Sequence, residues 1–220
     1  MNSATSTGPS STLERWPERW GYGLFYLIPV LIVGVIFAFR LKTSAAVTLP
    51  SLGAVPPLQM LNQNRTSVSA ADFRGKVHVV DFFFTSCPVS CPKLTKRMAS
   101  VQDRLERGGG AFHDVKLTSI SVDPENDTPE QLRAYATRFG AHDERWDFLT
   151  GPGQDLQSII VGGFKMEYHE ADPALGIVEI MHGNWFVLTD KEAHIRGYYL
   201  ADSKQQIDRL LEDAAALAAL

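Results

Sequence analysis

Residues 77–94 read VHVVDFFFTSCPVSCPKL, and this stretch decides the fold. Its first eight residues are β-branched or aromatic with almost no polar interruption, which is typical of a strand buried on both faces of a sheet. Cys87 follows that strand, and apolar residues then recur at helical spacing from Leu94 to Leu105. The stretch therefore predicts a buried strand, a turn that carries cysteine, and a helix.

Strands and helices continue to alternate after this first pair. In chain order, the sequence predicts a strand at 115–122, a helix capped by Thr128, a short helix at 155–161, a hairpin of strands 185–189 and 194–199, and a helix capped by Ser203. This order predicts the α/β class, and it suits a thioredoxin-like sandwich. A fold alone assigns no function.

The net charge and the cysteine count exclude several classes of protein. The 220 residues carry a net charge of −4, so no basic field is present to attract phosphate backbones, and we expect no nucleic-acid partner. The two cysteines, Cys87 and Cys91, are too few for a disulfide scaffold or a four-cysteine metal cage.

The N-terminal region predicts a membrane anchor. Residues 21–39 carry no charged side chain, and a helix of that length nearly matches the ~30 Å hydrocarbon core of a bilayer. Aromatic residues crowd its start, as they do at membrane interfaces. A buried core helix and a cleaved signal peptide are the alternatives. We therefore expect a disordered tail at 1–19 and one transmembrane helix at 20–40.

A linker and one folded domain complete the predicted organisation. Residues 41–60 are rich in small residues and proline, which predicts a linker without structure of its own. Residues 61–220 are then the thioredoxin-like domain, long enough to bury a sizeable core.

The cysteine pair carries the predicted chemistry. Cys87 and Cys91 lie four residues apart at a helix start, so both sulfur atoms lie on one face of a helical turn. The amides and the positive dipole end of the helix favour the thiolate of Cys87. This spacing suits two thiolates that bind one ion, and it also permits a disulfide if the turn is distorted.

His182 is the predicted third ligand among six histidines. It directly precedes the strand at 185–189, in the loop that a thioredoxin-like fold brings opposite the cysteine turn. We expect His78 to be a buried strand residue and the remaining histidines to be surface residues, with His169 a weaker ligand candidate. Met181 is a candidate thioether ligand, although a packing role is more usual for methionine.

Two cysteines and a histidine favour Cu(I) or Zn²⁺, and the softness of thiolates favours copper. Zinc would require a fourth ligand or a water, whereas three ligands suffice for Cu(I).

Several separated motifs resemble the SCO/SenC family of membrane-anchored copper proteins, which help to assemble the copper centre of cytochrome c oxidase. These motifs are TSCPVSCPKLT at 85–95, SISVDPENDTPEQLRAYATRFGA at 119–141, WDFLTG at 146–151, and HGNWFVLTDKEAHIRGYY at 182–199. The resemblance covers most of residues 61–220.

The resemblance implies a site and its partners. The family's copper ligands fall on Cys87, Cys91 and His182, and Asp123 matches an acidic position that the family keeps near its site, which implies a supporting or docking role. The implied partners are Cu(I), subunit II of cytochrome c oxidase and a thiol–disulfide reductant. The Ser/Thr-rich N-terminus lacks the Arg-rich amphipathic character of a mitochondrial transit peptide, so we expect a bacterial inner membrane protein. The resemblance implies that its C-terminal domain lies in the periplasm.

The motifs depart from the family pattern beside the ligands. Family members often carry an acidic residue between the cysteines, where this chain has Val89 and Ser90, and Met181 and Gly183 flank the histidine in place of an acidic and a hydroxyl residue. These departures leave room for a thiol-redox specialist or a sensor.

Two functions from different classes follow. The first is a metallochaperone that holds Cu(I) on Cys87, Cys91 and His182 and passes it on by ligand exchange. The second is a thiol–disulfide oxidoreductase that reduces the cysteines of the oxidase, with Cys87 as the nucleophile. A peroxidase is a weaker third, supported only by Thr85.

Overall fold

The computed structural model describes residues 28–34, 49–151, 155–166, 168–170, 178–180 and 184–220. The chain divides into two compact units, Met1–Ala46 and Val47–Leu220. Residues 28–34 in the first unit are helical, and each of them is exposed. Most of the anchor predicted at 20–40 lies outside the described residues, and no helix within them is both long and apolar enough to cross a bilayer.

The second unit is built from short strands and three longer helices. The strands are β1 (Gly53–Ala54), β2 (Gln59–Asn62), β3 (Ser67–Ser69), β4 (Val77–Phe83), β5 (Val115–Ser121), β6 (Trp146–Thr150), β7 (Tyr168–Glu170), β8 (Val178–Ile180), β9 (Trp185–Thr189) and β10 (His194–Leu200). The helices are α1 (Ser90–Gly108), α2 (Pro129–Arg138) and α3 (Lys204–Ala218), with 3₁₀ turns at Ala70–Phe73 and Gly109–Phe112 and a π-helical turn at Ser158–Gly163.

The main sheet has a parallel centre with antiparallel neighbours. Its strand order is β1-β10-β9-β4-β5-β6-β2-β3, while β7 and β8 form a separate pair. Strands β4, β5 and β6 run parallel, β9 is antiparallel to β4, and β10 is antiparallel to β9. The predicted strands β4 and β5 and the predicted β9–β10 hairpin are confirmed, and the α/β sandwich with them.

Strand β4 separates two hydrophobic clusters because its side chains alternate between the faces of the sheet. Val79 and Phe83 belong to the cluster that also contains the buried faces of α1, α2 and α3. Val80 and Phe82 belong to the cluster on the other face, with buried residues of β2 and of the π-helical turn. Asp81 therefore points to the helix-covered face, the same face as the cysteines.

The helix starts follow the predicted caps. The Thr128 side chain accepts a hydrogen bond from the backbone of Gln131, and the Ser203 side chain accepts one from Gln206. Proline occupies the first position of α2, where a missing N–H costs nothing. The predicted short helix at 155–161 is present as helical residues 156–157 that continue into the π-helical turn.

The folded unit includes part of the stretch assigned from the sequence to the linker at 41–60. Strand β1 and the first two residues of β2 lie within this stretch, and Val55, Leu58 and Met60 are buried. The small residues and prolines of this stretch predicted a linker without structure of its own. Instead, these three apolar side chains belong to the cluster on the face of the sheet opposite α1, α2 and α3, so the folded unit begins before residue 61.

Candidate functional site

Both cysteines lie at the carboxyl end of β4, where the sequence placed them. The strand ends at Phe83, Cys87 lies in the following turn, and Cys91 is the second residue of α1. Both residues are free cysteines and 7% exposed. The site is therefore a dithiol at a helix start, just below the domain surface.

The Cys87 sulfur accepts hydrogen bonds from the helix start. The backbone N–H of Cys91 donates to Cys87 Sγ over 3.3 Å, and Ser90 Oγ lies 3.1 Å from the same sulfur. Burial raises the pKa of the Cys87 thiol, but these bonds and one from the Val89 backbone lower it by more. The net pKa lies below the ordinary value for cysteine, which favours the thiolate as the helix-start position predicted.

The two thiols are chemically unequal. Burial raises the pKa of the Cys91 thiol to about 12, and the neighbouring charges of Cys87 and Asp81 act in the same direction. Cys91 therefore keeps its proton at neutral pH until a metal or a disulfide replaces it, whereas the local hydrogen bonds favour the thiolate at Cys87.

Two buried polar side chains, Asp81 and Tyr135, lie near the dithiol. Burial raises the pKa of the Asp81 carboxyl to about 7, and this effect outweighs the lowering by hydrogen bonds from Ser119 and from the Asp81 backbone. Tyr135 from α2 lies against Phe83, with ring centroids 5.1 Å apart, and burial raises its pKa also. The electrostatic influence of Asp81 reaches both Tyr135 and Cys91.

We expect Ser90→Ala to reduce the thiolate fraction of Cys87. A hydrogen bond of this kind is worth about 1 kcal/mol, which corresponds to a roughly fivefold change in the population of the thiolate. Thiolate ultraviolet absorbance followed against pH measures this population directly. Ser100→Ala, at an exposed serine of the same helix, is the control, and equal titrations of the two variants would show that Ser90 does not acidify Cys87.

The histidines divide between described and undescribed parts of the chain. His182 and Met181 lie outside the described residues, and His169 is described only as part of the backbone of β7. His78 is buried, with Nδ1 3.0 Å from Thr118 Oγ1, as expected for a strand residue. Three other histidines pair with acidic neighbours at or near the surface: His113, His142 and His194.

Asp123 and Asp127 have different roles in the loop after β5. The carboxylate of Asp123 accepts from the side-chain amide of Asn126, within its own loop. The carboxylate that reaches the cysteine loop is that of Asp127, which accepts from the backbone and hydroxyl of Thr85. Sequence reasoning missed Asp127, whose only signal was an acidic residue directly before the Thr128 cap.

The donor set suits a soft cation. Two sulfur atoms lie on one helical turn, and soft thiolates select Cu(I) over hard cations. Within the part of the chain that the structure describes, no further His, Cys, Asp or Glu joins the two cysteines to form a group of three metal ligands.

Fold and site together define a class: a thioredoxin-like protein with a dithiol of CxxxC spacing at the start of a helix. Within that class, the SCO1/SenC family model matches residues 51–219. The chain belongs to the SCO1/SenC family. The match begins well before residue 61, in agreement with the burial of Val55, Leu58 and Met60.

Two relatives align over most of the chain. A SCO1 protein homologue of Bacillus subtilis is 29% identical over 196 residues, covering 88% of this chain and 98% of its own. A protein of Stutzerimonas stutzeri, named for copper binding, is 28% identical over 156 residues, covering 71% of this chain and 74% of its own.

Two solved structures share the fold. A SCO1/SenC family lipoprotein from Bacillus anthracis is 30% identical with a TM-score of 0.68, covering 76% of this chain and 97% of that chain. BsSco, a member of the Sco family of cytochrome c oxidase assembly proteins in which a disulfide switch was identified, is 29% identical with a TM-score of 0.68, covering 78% and 98%.

Proposed function

We propose that this protein is a membrane-anchored copper metallochaperone that binds Cu(I) as its cargo through Cys87, Cys91 and His182. It delivers the ion to the copper A site of cytochrome c oxidase subunit II, or prepares that site. The observation that carries the proposal is the reduced dithiol at the start of α1, in which one thiol is acidified by the helix start. Such a pair presents two soft ligands to one ion.

Family membership supports the choice of metal and of recipient. Copper binding is the property for which the Stutzerimonas stutzeri relative is named, and cytochrome c oxidase assembly is the property stated for the family of BsSco. Both relatives align across the segment that contains the cysteine turn.

Chain geometry supports His182 as the third ligand. The register of β9 against β4 sets the start of β9 beside the end of β4 that leads to the cysteines. His182 precedes Trp185 by three residues, a span of at most about 11 Å. The chain is anchored close by, since Asn184 bonds to Asp202 through its side chain and to Ala201 through its carbonyl.

In this proposal, the redox state of the two cysteines controls whether the protein can bind copper. Oxidation of the dithiol removes two electrons and two protons and forms one bond between the Cys87 and Cys91 sulfur atoms, which removes both thiolate ligands. A thiol–disulfide reductant is then required to restore the copper-binding form.

The anchor and location belong to the same proposal. Residues 28–34 present apolar side chains, including Val30, Leu31 and Val33, that are more than half exposed. Burial in lipid would remove that surface from water. The lipoprotein relative supports membrane association alone. The proposal assigns a single-pass anchor at 20–40 in a bacterial inner membrane, with the C-terminal domain in the periplasm.

A thiol–disulfide oxidoreductase is the second candidate. The unequal thiols favour it, because an acidified Cys87 can attack a disulfide while the protonated, buried Cys91 stays ready to resolve the mixed disulfide. Its substrate would be the oxidised cysteines of the oxidase subunit.

Anaerobic titration with Cu(I) tests the proposal. We expect the reduced protein to bind about one equivalent, with thiolate-to-copper absorption that saturates at that ratio, because one turn offers one pair of sulfur ligands. The same protein with its disulfide formed is the matched control and is expected to bind none. Equal binding by the two forms would contradict the role of the thiols, and rapid disulfide turnover without copper binding would favour the oxidoreductase.

A further inference from the structure

We propose that Asp127, in the loop that leads into α2, and Tyr135, within α2, hold the cysteine turn at both ends and thereby favour the dithiol over the disulfide. We call the two sets of contacts the clamp: Asp127 with Thr85, and Tyr135 with Thr95. The inference rests on the proposed function only in taking Cys87 and Cys91 as the working groups.

The first end of the clamp lies two residues before Cys87. The Asp127 carboxylate is fully buried, and it accepts bonds of 3.1 and 3.3 Å from the backbone N–H of Thr85 and another from the Thr85 hydroxyl. Ser121 Oγ, at the end of β5, donates to the same carboxylate over 2.5 Å. Bonds to a charged acceptor are stronger than neutral ones, so the entry to the cysteine turn is tied to the sheet edge.

The second end of the clamp lies four residues after Cys91. The Thr95 hydroxyl donates to the carbonyl oxygen of Cys91 over 2.8 Å, and the Tyr135 hydroxyl lies 3.0 Å from Thr95 Oγ1. Because the single hydroxyl proton of Thr95 is used on the carbonyl, the Tyr135 hydroxyl must be the donor. Both side chains are buried, so water does not compete for these bonds.

The two residues that hold the ends of the cysteine turn are close together in the chain. Asp127 directly precedes Thr128, the cap of α2, and Tyr135 lies within α2. Leu132 and Ala136 of the same helix are buried in the cluster that also contains Cys87 and Cys91. The cysteine turn is therefore held before and after its two thiols by the same helix and the loop that leads into it.

The clamp favours the dithiol because a disulfide would deform the segment that it holds. In the reduced form, the Cys91 N–H donates to Cys87 Sγ as part of the first turn of α1. A bond between residues four apart requires the two Cβ atoms to approach to about 3.8 Å with a fixed dihedral angle, which distorts such a turn. Contacts that resist the distortion raise the free energy of the disulfide relative to the dithiol.

The test is redox equilibrium against glutathione. Glutathione disulfide takes up two electrons and two protons as its S–S bond breaks, giving two glutathione thiols, while the protein forms one Cys87–Cys91 bond. We expect Thr85→Val and Tyr135→Phe each to raise the equilibrium constant for protein disulfide formation about tenfold, a potential about 30 mV more negative. Thr85→Ser keeps the hydroxyl and is expected to stay within about twofold of the native protein.

A second control distinguishes loss of the clamp contacts from a general loss of protein stability. Asp190 is a buried carboxylate that accepts backbone bonds from Glu192 and His194, in the turn at the far end of β9 from the cysteines. We expect Asp190→Asn to lower the melting temperature without changing the glutathione equilibrium. A Thr85→Val equilibrium equal to that of Thr85→Ser, a shift towards the dithiol, or an equal shift in Asp190→Asn would overturn the inference.

Failure of the inference is distinguishable from failure of the proposed function. The glutathione equilibrium requires no copper, so the clamp stands if the shifts occur in a protein that does not bind Cu(I). Copper binding with no shift in Thr85→Val and in Tyr135→Phe overturns the clamp alone. Tyr135→Phe removes one hydroxyl and keeps the ring, so it provides a reading even if Thr85→Val does not fold.

Discussion

Replacement of either cysteine by serine is expected to lower the affinity for Cu(I) by more than about a hundredfold. Loss of a supporting partner outside the ligand set typically costs about 10–100-fold in metal affinity, and loss of a ligand itself should cost more. A serine hydroxyl is a hard donor that does not replace a thiolate for a soft monovalent ion. We therefore expect Cys87→Ser and Cys91→Ser to have similarly large effects, despite their different thiol pKa values.

Competition against a chromogenic Cu(I) chelator under anaerobic conditions measures both affinities. Lys96→Gln, at an exposed position of α1, is the control and should bind as the native protein does. Native-like affinity in either cysteine variant would contradict binding by the pair, and an effect in Cys87→Ser alone would point to a single-thiol site.

Asp81→Asn is expected to stabilise the folded domain by up to about 4 kcal/mol above neutral pH. The carboxyl has a pKa of about 7 in the folded protein, against a reference value of 3.8, and each unit of difference corresponds to about 1.4 kcal/mol. Between about pH 4 and pH 7, Asp81 is therefore protonated in the folded state and ionised in the unfolded state. The stability linked to this proton is present below about pH 4 and is lost as the pH rises through 7. The amide carries no charge and avoids this loss.

Urea unfolding at about pH 4 and about pH 8 measures the difference. We expect the gain from Asp81→Asn to be small at the lower pH and to grow towards the higher one. His78 acts on the acid side in both proteins, since burial lowers its pKa to about 3, and its effect cancels in the comparison. A pH-independent difference would show that Asp81 is not a buried proton carrier.

The elements that position the dithiol were predictable because their signals are local. The apolar run of β4 and the helical spacing of α1 are each visible within a short stretch of sequence. The helix caps Thr128 and Ser203 are local signals of the same kind. Strand β1 could not be read in this way. It has two residues, and its pairing partner in β10 lies about 140 positions further along the chain.

The position of the dithiol was predictable from the sequence, whereas the residues that support it were not. Cysteine spacing at a strand end is a sequence signal, whereas the contact of Asp127 with Thr85 depends on two parallel strands ending at the same edge. Asp81 was visible as a single charged residue in an otherwise apolar run. Its complete burial follows only from the packing around it.

X-ray absorption spectroscopy of the copper-loaded protein, beside its His182→Ala variant, tests the central claim most directly. The account predicts two sulfur ligands and one imidazole nitrogen around each Cu(I) in the native protein, and loss of the nitrogen with retention of both sulfurs in the variant. Identical spectra from the two proteins, or a copper ion bound by sulfur alone, would contradict it.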